Sequence, residues 1–185
     1  MLIAGEVSGD TNAAELVLAL KDEAAARGIP FPPRFIGAGG PNMRAAGVDL
    51  AFDLTRHAVI GHWEVLKNFF KFKRLFDQLL KLAIQRQPEV IVLVDFSGFN
   101  LRFAAAVRHY ARHRQSSFTN WNPKLVYYVS PQLWASREDR VHQLARDVDL
   151  VLSIFPFEPE WYARRAPQLR VEFVGHPMVD RFGKA

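Results

Sequence analysis

The chain has 185 residues, 49% of them hydrophobic and 23% charged, which is enough for one proper core and ordinary for a globular fold. It contains no cysteine, which excludes disulfides and thiolate metal sites, and no run of about eighteen uncharged apolar residues that would read as a bilayer span. A formal charge of +5 favours anionic partners such as phosphates, acidic lipids or nucleic acid, without choosing among them.

The first ten residues lack the basic head and long apolar middle of a signal peptide. Leu2 to Gly5 reads as a short first strand, and Glu6-Val7-Ser8-Gly9-Asp10 as the loop after it. A helix is predicted from about Thr11 to Arg27, with Leu16, Val17 and Leu20 as its buried stripe and Gly28 as its stop. Arg34 to Ala38 reads as a second strand, closed by Gly39-Gly40-Pro41, with a short helix through Ala46. Asp49 to Leu54 reads as another short strand.

The longest helical pattern runs from Trp63 to about Arg86. Val65, Phe69, Phe72, Phe76, Leu79 and Ala83 fall at alternating steps of four and three, which makes one stripe. Leu66, Phe70 and Leu80 widen it. Lys67, Lys71, Lys73, Arg74, Lys81 and Arg86 oppose only Glu64 and Asp77. Two readings follow: a core helix with a solvated basic face, or a helix lying on an anionic membrane through Phe69, Phe70, Phe72, Lys71, Lys73 and Arg74. The two are compatible. Because the basic residues gather on this helix rather than interleaving with aromatics over a groove, nucleic acid is not an expected partner.

Pro88 to Asn100, PEVIVLVDFSGFN, is the centre of the pattern. Glu89 to Val94 is a nearly unbroken β-branched run, the mark of a strand buried on both faces of a parallel sheet. It stops at Asp95, which either caps the next helix or does chemistry. Helix is predicted from Leu101 to about Arg114, then a polar loop to Asn122, and a strand from Leu125 to Val129 ending at Ser130-Pro131-Gln132-Leu133-Trp134. Arg137 to Arg146 reads as helix and Leu150 to Phe155 as strand. A short helix is predicted near Pro159 to Arg165, before a last strand from Val171 to Val174 that ends at Gly175-His176-Pro177. This alternation predicts a doubly wound, mostly parallel α/β sheet of Rossmann-like type.

Polar clusters follow the strand ends: Glu6, Ser8, Gly9 and Asp10; Gly39 and Gly40; Asp95 and Asn100; Ser130, Gln132 and Trp134; Glu158; His176. Gathered on one rim, they would form a pocket. Sharper motifs fail. There is no GxxxxGK[ST] loop and no GxGxxG, and Ser8 is flanked two residues away by Glu6 and Asp10 rather than by glycines. A Ser8, His176, Asp95 triad finds little support, and the histidines lack ligand spacing, so no metal site or cofactor is expected.

The motifs do carry a resemblance. Gly5-Glu6-Val7-Ser8-Gly9-Asp10, Gly37-Ala38-Gly39-Gly40-Pro41-Asn42-Met43, Val59-Ile60-Gly61 with Glu64-Val65-Leu66, and Val94-Asp95-Phe96-Ser97-Gly98-Phe99-Asn100 recur in order. They are followed by Tyr128-Val129-Ser130-Pro131-Gln132-Leu133-Trp134-Ala135, Pro156-Phe157-Glu158 and Phe173-Val174-Gly175-His176-Pro177. Together they resemble the lipid-A-disaccharide synthase family. Ser97 and Gly98 depart from the usual Pro and Asp, and Ser136 stands where a Trp is common.

The resemblance implies a two-domain glycosyltransferase whose second Rossmann-like domain holds the nucleotide sugar. Residues 1–185 would then be a single N-terminal, acceptor-side domain, without the C-terminal one. It implies inverting transfer of 2,3-diacylglucosamine from its UDP derivative to 2,3-diacylglucosamine 1-phosphate. A homodimer of the full-length protein and a peripheral place on the cytoplasmic face of the inner membrane are implied as well. The alternative is a non-catalytic lipid-binding module. Asp95 is the expected base, with Glu6 and Asp10 in reserve. Gly9, Gly39 and Gly40 would admit sugar or phosphate, or simply make tight turns. Ser8, Asn100, Ser130, Gln132 and Trp134 would contact the acceptor, although Trp134 also suits a core position. His176 would meet a phosphate or serve as a turn residue.

Overall fold

The computed structural model describes residues 1–55, 69–114 and 120–183, in two compact units, Met1–Pro88 and Glu89–Ala185. In both, strands alternate with helices and every strand pairing is parallel. The expected Rossmann-like α/β fold is what the chain adopts.

The first unit contains β1 (Leu2–Ala4), α1 (Val7–Ala26), β2 (Ile36–Gly39), α2 (Pro41–Ala45), β3 (Asp49–Asp53) and α3 (Phe69–Arg86), with strand order β3-β2-β1. All three residues of β1 are buried. The first helix starts at Val7, four residues before the expected start, so Ser8, Gly9 and Asp10 occupy its first turn rather than a loop. Glu6, in extended conformation, sits at its N-cap without a side-chain cap. The chain therefore swings straight from strand to helix, while the apolar periodicity begins only at Ala13, Ala14 and Val17. Leu20 is exposed rather than part of the buried stripe. Gly28, at φ +62°, ends the segment in a left-handed conformation that suits glycine.

In α3, Leu79 and Ala83 are fully buried and Phe72 and Phe76 half-buried, while Lys73 and Arg74 face solvent. The predicted stripe holds from Phe72 onward. The Val59-Ile60-Gly61 and Glu64-Val65-Leu66 motifs, and the side chains of Phe69, Phe70 and Lys71, lie outside the described residues.

The second unit contains β4 (Val90–Val94), α4 (Ser97–His113), β5 (Lys124–Tyr128), α5 (Leu133–Ser136), a 3-10 turn (Glu138–Arg140) and α6 (Val141–Asp147). It continues with β6 (Leu150–Ser153), α7 (Glu158–Ala163), β7 (Arg170–Phe173) and α8 (Pro177–Gly183). Strand order is β4-β5-β6-β7, with Leu93 beside Tyr127 and Tyr127 beside Val151. These three are fully buried, as are Phe103, Ala104 and Val107 of α4. Each of these but Ala104, a single methyl, contributes roughly 1.5–3 kcal/mol of burial. Here too a helix starts early, at Ser97 rather than Leu101. Helices α5 and α8 stand where no helix was predicted.

At the amino ends of β5 and β6, Arg108 of α4 locks the unit. Its Nε donates to the Asp147 carbonyl at 2.9 Å, and Nη1 to Asn122 Oδ1 and the Pro123 carbonyl at 2.9 and 3.1 Å. Nη2 pairs with Asp149, whose Oδ2 also accepts the Leu125 amide at 2.7 Å. The carboxyl ends of these strands, opposite this lock, carry the candidate residues.

Candidate functional site

In the first unit, the strand-end cluster is organised by Asp10. It is 1% exposed. Its Oδ1 accepts the amides of Gly40 and Met43 at 2.7 and 3.0 Å, and Oδ2 that of Asn42 at 2.9 Å. An acid on α1 thus caps the first turn of α2, with three charge-assisted bonds. Gly40 is required there: a Cβ would lie 2.7 Å from Asp10 Oδ2 and 2.8 Å from Thr55 Cγ2. Gly9, Gly39 and Gly40 are buried beside it, whereas Glu6 and Ser8 are exposed. Asp10 therefore acts as a fixed acceptor that shapes the glycine turn.

In the second unit, Asp95 follows the last residue of β4. Its amide donates to the Tyr128 carbonyl at 3.0 Å, and its own carbonyl accepts Tyr127 Oη at 2.6 Å and Asn100 Nδ2 at 2.8 Å. Asp95 and Phe96 both hold left-handed backbone, at φ +50° and +47°, and Val129, just past β5, does so at +62°. Such torsions cost about 1–3 kcal/mol each in non-glycine residues and persist only where surrounding contacts enforce them. The clamp on the Asp95 backbone supplies that enforcement and fixes where its side chain starts. The carboxyl itself is half-buried. Burial raises its proton affinity above the ordinary aspartate value, partly offset by a hydrogen bond from the Phe96 amide. Among the described residues, no cation pairs with it.

Asn100 is fully buried and spends its amide on the Val94 and Asp95 carbonyls, while its Oδ1 has no hydrogen-bond partner among the described residues. Asn100 thus supports the Asp95 turn from beneath.

Ser130 and Trp134 meet on Glu158, a fully buried acid that begins α7. Ser130 Oγ donates to Glu158 Oε2, and Trp134 Nε1 to Oε1 at 3.0 Å. Ser153, the last residue of β6, reaches the same Oε2. Glu158 appeared in the strand-end series, but neither it nor Ser153 was assigned a role. The PFE segment was the available signal; its burial was not legible. Burial, then the Glu158 charge, push the Tyr162 phenol up. Gln132, by contrast, is exposed. Trp134 is neither core nor free: it is 38% exposed, with its ring edge-on to Phe157 and Phe155 at 5.3 and 6.2 Å. His176 packs on Phe155 at 6.0 Å, and its Nδ1 accepts the Met178 amide at 3.2 Å, capping α8.

The family described as lipid-A-disaccharide synthetase matches residues 1–185. The chain is 37% identical to lipid-A-disaccharide synthase 1 of Legionella pneumophila strain Paris, over all of this chain and 44% of the relative. It is 38% identical to the lipid-A-disaccharide synthases of Trichlorobacter lovleyi and Myxococcus xanthus, over 97% and 98% of this chain and 42% of each relative. The chain thus spans less than half the length of these curated relatives.

Proposed function

The chain belongs to the lipid-A-disaccharide synthase family, and from that premise we propose that it forms the acceptor-side part of an inverting glycosyltransferase of lipid A biosynthesis. The donor is UDP-2,3-diacylglucosamine and the acceptor 2,3-diacylglucosamine 1-phosphate. Asp95 takes the proton from the attacking acceptor hydroxyl. The new bond forms at the anomeric carbon on the face opposite UDP, and the bond to UDP breaks with its electron pair leaving on the phosphate oxygen.

The observation that carries this reading is the setting of Asp95. It stands at a strand's carboxyl end, its backbone clamped by three polar groups from β5 and α4, its carboxyl half-buried and unpaired with any described cation. Burial raises its affinity for a proton, which suits a base. Ser130, Trp134, Gln132 and His176 belong to the same unit and supply acceptor contacts; Glu6, Ser8, Gly9, Gly39 and Gly40 belong to the other. We also assign α3 a place on an anionic membrane surface, since both substrates carry acyl chains; no described helix is long and apolar enough to cross a membrane.

The test is UDP release from the two substrates, with the chain alone and with the C-terminal half of a family member supplied. Release is expected only with both halves, and Asp95→Asn is expected to lower it about 10²–10⁴-fold, the usual contribution of a positioned base. Near-normal turnover in Asp95→Asn removes the assignment.

A further inference from the structure

Glu158 presents a problem that the glycosyl-transfer reading leaves open. Its carboxylate is fully buried, yet the groups that meet it are the neutral donors Ser130 Oγ, Ser153 Oγ and Trp134 Nε1. Ser153 has one proton to share between Glu158 and the Phe155 carbonyl, 2.9 Å from its Oγ. Burying a carboxylate in this way is costly, and well-packed apolar replacements of buried charges are often neutral or stabilising. Stability alone is therefore a poor reason for an acid here.

The geometry offers another. The three donors come from the end of β5, from α5 and from the end of β6, so a single acid at the start of α7 ties three carboxyl-end segments together. Its Oε1 bond fixes the edge of the Trp134 indole, while Phe155 and Phe157 brace the ring edge-on. What remains open is an aromatic surface of Trp134 and Phe157, 38% and 45% exposed. An exposed indole held at both its polar edge and its flanks has lost the freedom that an exposed side chain normally keeps, and such rigid aromatic surfaces are what ligands with C–H faces pack against.

We propose that Glu158 is a positioning residue: it holds Trp134, and with it Ser130, so that the Trp134–Phe157 surface receives the aliphatic C–H surface of the acceptor. This rests on the acceptor-side reading above. The C–H surface comes either from the pyranose ring or from an acyl chain, and Trp134 is the contact while Glu158 touches no substrate.

The test uses the whole chain and two probes, glucosamine 1-phosphate and 2,3-diacylglucosamine 1-phosphate, with binding measured calorimetrically. Hydrogen exchange of the indole Nε1–H groups is followed in parallel by NMR; Trp134→Phe assigns the Trp134 signal among the four tryptophans. Glu158→Leu is expected to speed Trp134 Nε1–H exchange and weaken probe binding by about tenfold each, as loss of a charged acceptor predicts, with circular dichroism unchanged. Glu158→Gln keeps an oxygen for the indole and offers its amide to the two hydroxyls, which can turn to accept; it is expected to restore both readouts.

In a Trp134→Phe background, Glu158→Leu is expected to weaken binding clearly less than it does in the native chain, the remainder reflecting its hold on Ser130. Additive losses there, or Trp134 exchange indifferent to Glu158, overturn the proposal. If Glu158→Leu fails to fold, Glu158→Gln and Trp134→Phe still decide it, because a Gln chain with wild-type fold but fast indole exchange and weak binding overturns it equally. Weakening confined to the diacylated probe assigns the surface to an acyl chain; weakening of both assigns it to the ring. If the wild-type chain binds neither probe, the acceptor reading falls, and the exchange rates alone then decide whether Glu158 fixes Trp134.

Discussion

A base that takes a proton from a sugar hydroxyl must hold it well enough to help and release it afterwards, and in the role proposed for Asp95 burial would set that balance. The same burial has a thermodynamic consequence. Its folded-state proton affinity is raised above that of the unfolded chain, so the stability it contributes is present at low pH, below the ordinary value of 3.8, and is lost as pH rises through the raised folded value. Asparagine at this position cannot ionise and escapes that loss. Asp95→Asn is therefore expected to melt above the native chain at neutral pH, with the gap closing toward pH 3. A gap independent of pH in calorimetric melts would show that the carboxyl is not desolvated. For the proposed base the sign in the enzymatic assay is opposite: the ionised form accepts the proton, so turnover is expected to rise with pH through the same titration. The position of Asp95 was legible because an acid ends an apolar β-branched run. Its left-handed torsion, shared with Phe96 and Val129, was not, because no glycine marks it; tertiary clamps from Tyr127, Tyr128 and Asn100 impose it. The capping role of Asp10 was not legible for a related reason. Its partners lie some thirty residues away in the chain, beyond any local pattern.

Elements here are bounded by contacts that periodicity misses. Both α1 and α4 begin in residues that carry no apolar repeat, Val7 to Asp10 and Ser97 to Asn100, because these first turns lie against strand ends rather than over the core. Strand positions were read well since continuous apolar runs in a parallel sheet announce themselves. Two packing locks follow from the observed elements, one in each unit. Gly40→Ala would press a methyl into Asp10 Oδ2 and Thr55 Cγ2, and is expected to destabilise the chain by about 1–3 kcal/mol, as overpacking does. Arg108→Met keeps the length of the side chain but strips polar donors from the Asp147 and Pro123 carbonyls, Asn122 and Asp149. Lys124 at 3.8 Å and the Leu125 amide still serve Asp149, so a loss of about 3 kcal/mol, the low end for breaking a buried pair, is expected in urea unfolding. A loss under about 1 kcal/mol would mean that water replaces the guanidinium without cost.

At the scale of the molecule, the formal charge of +5 and the basic face of α3 bear on the proposed membrane contact. Lys73 is paired with Asp77 at 2.8 Å, but both side chains are more than half exposed, and such pairs hold so weakly that lipid phosphate can compete for the lysine. Each Lys or Arg near an anionic surface adds about 1 kcal/mol, whereas hydrocarbon contact by phenylalanine does not depend on salt. These two contributions separate experimentally. In flotation assays the chain is expected to rise with phosphatidylglycerol vesicles and not with phosphatidylcholine alone. Charge reversal at Lys71, Lys73 and Arg74 is expected to abolish flotation at 0.1 M salt, where screening reaches about 10 Å. Alanine at Phe69, Phe70 and Phe72 is expected to leave a residual binding that about 1 M salt removes, because the screening length then falls to about 3 Å. If the native chain stays at the bottom with anionic vesicles, or if the phenylalanine variant floats as well as the native chain at high salt, the basic face is a solvated one and α3 serves the core alone.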